Sequence, residues 1–246
     1  MRRLVLEGIG AVISVHLRSA RPPRVLGVFS FRYDAHLVPD LIANIEPFVD
    51  GWISYDDREA TGVFSNEVQR RRTLLDAARE AGAAWALAVD PDERFEVSLS
   101  DKMAALLEHT GTGAHTFPVR EMYSSTHYRV DGVWGEKRQA RLLSLGDGVI
   151  TPPGDLHLPW SYFIPNTQLH HTDINLYHLK MMTAERRRAR AALYNHLDPN
   201  RVMQSIGYDY LADDTGATFE ALTAERVYFP AHKDDGGLWM AHVGAE

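Results

Sequence analysis

The stretch WALAVDPDERFE, residues 85–96, carries the clearest structural signal in the chain. It begins with an apolar run that has no polar alternation, which is typical of a strand covered on both faces of a sheet. Three carboxylates then follow within four positions, at Asp90, Asp92 and Glu93. Carboxylates this close raise one another's pKa, so their crowding predicts a positive partner at the end of the strand.

The segments around this strand alternate between strand and helix patterns. In chain order they are residues 24–31, 38–49, 51–57, 65–83 and 99–111. This order predicts an α/β fold with an open, mostly parallel sheet flanked by helices. Ligands bind such sheets beyond the carboxyl ends of the strands, so we expect Asp56 and Asp57 to share one crevice with Asp90 and Asp92.

The second half of the chain is richer in strand and loop signals. The tripeptide VDG at 130–132 predicts a hairpin turn. A loop rich in His and Pro occupies 151–173, a short strand is expected at 174–178, and a helix at 183–197. No linker divides these segments, which predicts a single domain over residues 1–246.

Composition excludes several classes of function. With 246 residues, 45% hydrophobic content and a net charge of −7, the chain can form one large domain but is poorly suited to a nucleic-acid backbone. It has no cysteine, which excludes disulfides and thiolate chemistry. Residues 1–15 predict an N-terminal strand or short helix. The expected location is the cytoplasm, with peripheral attachment to the inner membrane face as the alternative.

The acidic turn has the chemistry of a site for a hard metal ion. Asp90 and Asp92 flank Pro91, which fixes the backbone between them. Oxygen ligands without soft donors suit Mg²⁺ or Mn²⁺, and such ions share their coordination with substrate phosphates. A solvated surface turn is the alternative interpretation of the same residues.

This segment resembles the third motif of glycosyltransferase family 2 enzymes, which have the GT-A fold. In that family a tryptophan and apolar residues precede Asp-x-Asp-Glu, as they do at 85–93. The resemblance covers roughly residues 24–180 and is closest to bacterial members with an RLFR-like strand, here KRQARLLSL at 137–145, and an Arg-rich helix, here within 174–194. The segment FRYDAH at 31–36 departs from the family's Asn-Glu.

The resemblance implies a metal-dependent, inverting glycosyltransferase that uses Mn²⁺ or Mg²⁺. The donor would be a nucleotide-diphosphate sugar, and the acceptor hydroxyl could belong to a saccharide, a lipid or a small molecule. A Rossmann-like nucleotide-sugar half would occupy 24–111, a β-rich and loop-rich acceptor half 112–182, and a C-terminal helical extension 183–246.

The resemblance also implies roles for individual residues. Asp56 would contact the nucleoside, with Asp57 as its competitor. Asp92 would be the main metal ligand, and Asp90 would hold the ribose or a metal-bound water. His178 would complete the metal site, with His170 and His171 as the fallback candidates.

Basic residues would steady the donor. Successive helical residues point about 100° apart, so at most two of Arg70, Arg71 and Arg72 can face the crevice. Arg72 and Arg138 are the donor-binding candidates, and the neighbours of Arg138 at positions 137 and 141 are also basic. The arginine run at 186–190 is expected to be a solvated helix face.

The acceptor side needs a general base, for which Glu121 and Asp155 are the candidates. Trp134, His157 and Trp160 are candidates to line the acceptor pocket, with burial in the core as the alternative for the tryptophans.

Two other classes of function could use the same carboxylates. One is a metal-dependent hydrolase or nucleotidyltransferase, in which several of the histidines would bind zinc or iron, although no HExxH pattern is present. The other is a relative that binds a nucleotide sugar without turning it over.

Overall fold

The computed structural model describes the backbone of residues 2–6 and the residues 11–60, 67–108, 113–153, 158–233 and 237–240. The strands are β1 Arg2–Leu6, β2 Ala11–Leu17, β3 Val25–Phe31, β4 Gly51–Asp56, β5 Trp85–Ala88, β6 Glu93–Phe95, β7 Gly113–Glu121, β8 His127–Arg129, β9 Arg138–Ser144, β10 Gln168–His171, β11 Leu176–His178 and β12 Phe219–Ala221. The α-helices are α1 Val38–Ile45, α2 Glu67–Glu80, α3 Leu99–Leu106, α4 Val133–Glu136 and α5 Ala184–Leu197. Short 3-10 turns lie at Ala35–Leu37, Glu46–Phe48, Trp160–Phe163 and Asp209–Leu211.

The main sheet has the strand order β1-β2-β4-β3-β5-β9-β7-β11-β6, and β10 pairs with β7. This confirms an α/β architecture, but the expectation of a mostly parallel sheet is wrong because the sheet is mixed. The pairs β3–β4, β3–β5, β7–β10 and β7–β11 are parallel. The strand β9 runs antiparallel between β5 and β7, and antiparallel pairs also join β1 to β2, β2 to β4 and β6 to β11.

Strand β5 shows why the apolar run has no alternation. Trp85, Leu87 and Val89 belong to the apolar cluster that includes buried residues of α1 and α3. Ala86 and Ala88 belong to the cluster that includes buried residues of α2. Both faces of the strand are therefore covered by helices, so every position in it must be apolar.

The strand directions place the polar residues that follow several strands at the same edge of the sheet. From the pairings, β3, β4, β5, β7 and β11 all run the same way, while β9 runs against them. Their carboxyl ends consequently open at one edge of the sheet, and β9 begins at that same edge. The residues that follow these strands can therefore line one crevice.

Two expectations for the second half of the chain are wrong. The VDG tripeptide does not turn a hairpin: β8, which precedes it, pairs with β12, and α4 follows it. The chain turns earlier instead, where the Tyr123 N–H donates to the His127 carbonyl at 2.9 Å. The C-terminal extension is also less helical than expected, because α5 is its only α-helix in the described residues and a 3-10 turn and β12 follow it.

The arginines of α5 are mostly not on a solvated face, which corrects the interpretation from sequence. Arg186 is buried with its guanidinium carbon 3.6 Å from the centre of the Trp239 ring. Arg187 is buried over Tyr123 and pairs with Asp214 at 2.8 Å. Because α5 buries guanidinium groups, cation–π and ionic contacts hold it in place alongside its few apolar side chains.

The N-terminal residues form the edge strand β1, which pairs antiparallel with β2, and β2 pairs with β4. This agrees with the strand that the sequence predicts there, and not with the short helix. Across the described ranges, none of the helices combines the length and apolar character needed to cross a bilayer.

The close approach of β2 to Gly51 gives a first prediction. A Cβ added at Gly51 would lie too close to the His16 carbonyl oxygen, which is backbone and cannot rotate away. We expect Gly51→Ala to lower the free energy of unfolding by about 1–3 kcal/mol, measured by urea denaturation. Gly146→Ala is the control, since its nearest atom would be Ser144 Oγ at 3.9 Å; equal effects of the two substitutions would contradict the packing described.

Candidate functional site

A cavity of about 940 Å³ lies where the strand ends meet. Its polar lining comes from the segment after β3, the residues around the ends of β4, β5, β7 and β11, the start of β9, and the helices α2 and α5. The charged residues among them include Asp34, Asp57, Arg70, Asp90, Asp92, Glu121, Lys137, Arg138, Arg141, His178, Lys180 and Arg190. Acidic and basic side chains are therefore interleaved in one space.

The acidic turn at 90–93 is a closed structure. The Glu93 N–H donates to the Asp90 carbonyl at 2.9 Å, and Glu93 Oε2 accepts the Asp90 N–H at 3.0 Å. The buried Arg141 of β9 donates through Nη2 to Glu93 Oε1 at 2.5 Å and to Asp90 Oδ2 at 3.1 Å. The positive partner that the crowded carboxylates require is thus, for two of the three, a guanidinium of the protein.

Five side chains of alternating charge form what we call the ion-pair chain: Lys137, Glu121, His178, Asp92 and Lys180. Lys137 binds Glu121 Oε1, and His178 Nδ1 lies 2.6 Å from Glu121 Oε2. His178 Nε2 lies 3.3 Å from Asp92 Oδ2, and Lys180 Nζ lies 3.4 Å from the same oxygen. Strand register brings these groups together, because His178 stands opposite Glu121 of β7 and Glu93 of β6.

The ion-pair chain keeps its members charged. Burial opposes the charge on the His178 ring, but Glu121 and Asp92 outweigh it and raise the pKa of His178 to about 9. Burial likewise opposes ionisation of Glu121, but His178 and Lys137 hold its pKa below its usual range. Burial also opposes ionisation of Asp92, where Lys180 and His178 lower the pKa well below its ordinary value. His178 is therefore an imidazolium with a carboxylate at each nitrogen.

Two cations of this site, Lys180 and Arg190, were missed from the sequence. Burial opposes the charge on Lys180, but Asp92 and Asp34 raise its pKa. Arg190 of α5 lines the cavity, and its Nε and Nη1 are buried without a hydrogen-bond partner in the part of the chain that the structure describes. The position of Lys180, just after the strand predicted at 174–178, could have indicated that it lies at the same edge of the sheet as Asp92. Arg190 lies within a predicted helix, and nothing in its local sequence indicates a role in the site.

Asp34 is a further residue that the sequence did not identify. It lies in the FRYDAH segment, half-buried, and lines the cavity. Burial raises its pKa, the Lys180 ammonium lowers it and the Asp92 carboxylate raises it, with a resulting pKa of about 6. Asp34 can therefore exchange a proton near neutral pH, unlike the carboxylates of the ion-pair chain.

The structure separates the two aspartates at the end of β4. Asp57 is 1% exposed, lines the cavity and pairs with Arg70 at 3.0 Å. Asp56 instead faces Arg58, at 2.8 Å, and is not among the residues that line the cavity. Of the two aspartates predicted as candidates, Asp57 is therefore the one that lies at the cavity.

The basic candidates divide in a similar way. Arg72 pairs with Asp76 at 2.6 Å on its own helix and lies outside the cavity lining, whereas Arg70 and Arg71 line it. Of the three arginines, the structure therefore places Arg70 and Arg71, and not Arg72, at the cavity. Arg138 does line the cavity, although it donates to Thr116 Oγ1 at 3.2 Å and also binds the Thr172 carbonyl.

The residues predicted for the acceptor side differ in where the structure places them. Glu121 is 1% exposed and both of its oxygens are paired, so it has no free oxygen to take a proton. Asp155 and His157 lie outside the described residues. Trp134 is buried at the cavity wall, and Trp160 is buried in the core beneath Arg71.

The donor set does not fit a divalent ion as it is arranged. His178 Nδ1 is engaged by Glu121. Nε2 lies 3.3 Å from Asp92 Oδ2, a buried oxygen without a hydrogen-bond partner among the described residues, so a metal ion at Nε2 would have to displace a proton of the imidazolium. Two cations already flank Asp92 Oδ2. At a separation of about 4 Å and an effective dielectric constant of about 20, a divalent ion would repel each of them by roughly 8 kcal/mol.

Within the described residues, no group of three or more His, Asp or Glu side chains is arranged to hold a metal ion. The fallback ligand His171 contacts Thr116 Oγ1 through Nδ1 at 2.6 Å, and His170 packs against the His115 ring. Metal dependence with Asp90, Asp92 and His178 as ligands therefore stays a prediction from the resemblance.

The charge on His178 predicts a pH dependence of stability. A histidine whose pKa rises from 6.5 unfolded to about 9 folded stabilises the fold fully below pH 6.5, and this contribution is lost as the pH rises through 9. In buffer with a chelator, we expect the free energy of unfolding to fall by on the order of 2 kcal/mol over that interval. The fall should be absent in His178→Gln and retained in the control His127→Gln, an exposed histidine. Parallel curves for wild type and His178→Gln would refute the assignment.

Comparison with known proteins adds no family to this description. A scan against protein-family models matches none of them, and a search of curated proteins finds no significant match. The functional assignment consequently depends on the cavity and its side chains.

Proposed function

We propose that this chain transfers a sugar from a nucleoside diphosphate donor to an acceptor hydroxyl in the cavity. The observation that carries the proposal is that two different polar regions share this space. One is the buried Asp57–Arg70 pair at the end of β4, and the other is the cluster of cations around the ion-pair chain. A nucleoside diphosphate needs both, since its ribose and base are recognised by hydrogen bonds and its diphosphate by cations.

The size of the cavity supports a two-substrate reaction. Its volume of about 940 Å³ is near the upper end of the range of roughly 300–1,000 Å³ for small-molecule sites. A donor and the reacting part of an acceptor can therefore be present together. Its position beyond the carboxyl ends of β3, β4 and β5 is the usual place for a ligand in an α/β sheet.

The reaction requires one proton transfer and one bond exchange. The acceptor oxygen bonds to the anomeric carbon of the sugar, the bond from that carbon to the diphosphate oxygen breaks, and the bonding electrons leave with the diphosphate. A base takes the proton of the acceptor hydroxyl. If a divalent ion binds, it would neutralise the diphosphate. The cations beside Asp92 Oδ2 disfavour such an ion at this position.

Asp34 is the carboxylate best suited to be the base. Glu121 has both oxygens paired, and Asp92 is held ionised by two cations, which makes each a poor proton acceptor. Asp34 lines the cavity and has a pKa of about 6. This value leaves Asp34 ionised at neutral pH while keeping it basic enough to accept a proton.

The proposal is tested with a panel of nucleoside diphosphates and their sugar conjugates. We expect one base to raise the melting temperature selectively, since a ligand that binds only the folded state stabilises it. Release of the nucleoside diphosphate from the matching donor should then be measurable. Stoichiometric zinc with phosphoester hydrolysis would favour the hydrolase alternative, and donor binding without turnover by added acceptors would favour a non-catalytic binder.

The two aspartates after β4 form a matched pair of substitutions. Asp57→Asn should weaken binding of both the nucleoside and its diphosphate by at least about tenfold, because a charged hydrogen bond to the ribose or base is lost. Asp56→Asn should leave both affinities unchanged, since Asp56 faces Arg58. Titration calorimetry measures both, after melting curves show that each variant is folded. A larger effect at Asp56 would reverse the assignment.

Substitution of Asp34 tests the base. Asp34→Asn should lower the rate of sugar transfer by about 10²–10⁴-fold with little change in donor affinity. In wild type the rate should fall as the pH drops through about 6, where Asp34 becomes protonated, and the variant should lack this limb. Asp101→Asn on the exposed side of α3 is the control. Full activity in Asp34→Asn would exclude Asp34 as the base.

A further inference from the structure

Lys180 and Arg190 come from two different elements, and the charge of each is stabilised by Asp92. Lys180 follows β11, and its Nζ is 3.4 Å from Asp92 Oδ2. Arg190 projects from α5, and Glu121 and Asp92 are among the groups that stabilise its charge. Both residues line the cavity. The end of the ion-pair chain that faces the cavity is therefore cationic.

Arg190 has hydrogen-bonding capacity that the protein does not use. Its Nε and Nη1 are buried, and within the described residues neither has a partner. Its guanidinium carbon lies 5.4 Å from the centre of the Tyr194 ring, which supports one side of the group. Burial of a guanidinium group without hydrogen-bond acceptors is costly, and the charge of an anionic ligand in the cavity would offset part of this cost.

We infer that Lys180 and Arg190 form a subsite that binds the donor's diphosphate and neutralises it during transfer, without a divalent ion. Lys180 supplies a point charge, and Arg190 supplies the charge of its guanidinium group from the wall of the cavity. The ion-pair chain holds Lys180 in position through Asp92. The identity of the anion as a diphosphate rests on the proposed function, whereas the subsite itself rests on the placement of the two cations.

The acidic turn then has a structural role in this subsite. Asp90 and Glu93 are engaged by Arg141, and Asp92 by His178 and Lys180. Each carboxylate thereby holds a protein cation where the resemblance would place a metal ion. As the diphosphate leaves with its extra negative charge, the fixed cations stabilise it without reorganisation.

The test measures binding of inorganic pyrophosphate and of the nucleoside diphosphate that the panel selects, by calorimetry in EDTA. We expect both to bind wild type without metal and to bind Lys180→Gln and Arg190→Gln at least about tenfold more weakly. Arg188→Gln is the control, since Arg188 is exposed on the same helix and should change affinity less than about twofold. Binding of the nucleoside without phosphates should be unaffected in all variants.

Arg190→Lys separates the charge from the fork of donors and should weaken binding less than Arg190→Gln does. If Arg190→Gln does not fold, the Lys180→Gln result decides the question. Pyrophosphate binding that requires Mn²⁺, or Gln variants that match the control, would overturn the subsite. Sugar transfer seen only with Mn²⁺ would overturn it while supporting the proposed function. Metal-free pyrophosphate binding that is lost in the Gln variants, without turnover of any donor, would support the subsite and refute the transfer.

Discussion

The site depends on one buried cation, the imidazolium of His178 between Asp92 and Glu121. The three groups come from different parts of the chain and meet because β11 lies between β6 and β7 in the sheet. Each carboxylate is almost fully buried, so removal of the ring would take away the cation that Asp92 and Glu121 share and leave each of them with one lysine. This requirement adds to the packing of Leu176 and Tyr177 in fixing the register of the three-residue strand β11.

Around this cation, the charges of the cavity are arranged as pairs with different functions. Arg141 with Asp90 and Glu93 closes the turn after β5, and Arg70 with Asp57 closes the end of β4. Lys180 and Arg190 line the cavity, where we propose that they bind a ligand. Ion pairs between basic and acidic side chains therefore hold two strand ends in place, and two further basic side chains line the cavity. A preorganised site can in this way contain many charges and remain stable.

The sequence predicted the half of the fold in which local pattern and position agree. The continuous apolar run at β5 and the helix α2 were predicted within a few residues, and His178 was expected near Asp92, where the structure places it. The direction of β9 could not be predicted, because apolar spacing does not distinguish parallel from antiparallel strands. Asp56 and Asp57 are adjacent residues at a strand end, and adjacent residues of a strand point to opposite faces of the sheet. The sequence did not show which of the two faces the cavity.

The charged residues that were missed have a common physical cause. An arginine on a helix is ordinarily solvated, so nothing in the local pattern distinguishes the exposed Arg188 from Arg190, whose donors are buried. Lys180 and Asp34 lie in irregular segments, and their neighbours in space come from distant strands. Their roles depend on which charged side chains the sheet topology brings beside them. The local sequence around each residue does not contain this topology.

The buried arginines of α5 give this helix a different kind of attachment from that of α1, α2 and α3. Those three helices contribute to the two large apolar clusters of the sheet, whose association is insensitive to moderate salt. Contacts such as Arg187 with Asp214, whose carboxylate is about half exposed, are instead weakened by dissolved ions. The Arg187–Asp214 contact of the helix that carries Arg190 is thus more sensitive to ionic strength than the apolar packing of Ala191 on the same helix. Dissolved salt therefore acts on one attachment of this cavity wall and little on the packing of the sheet.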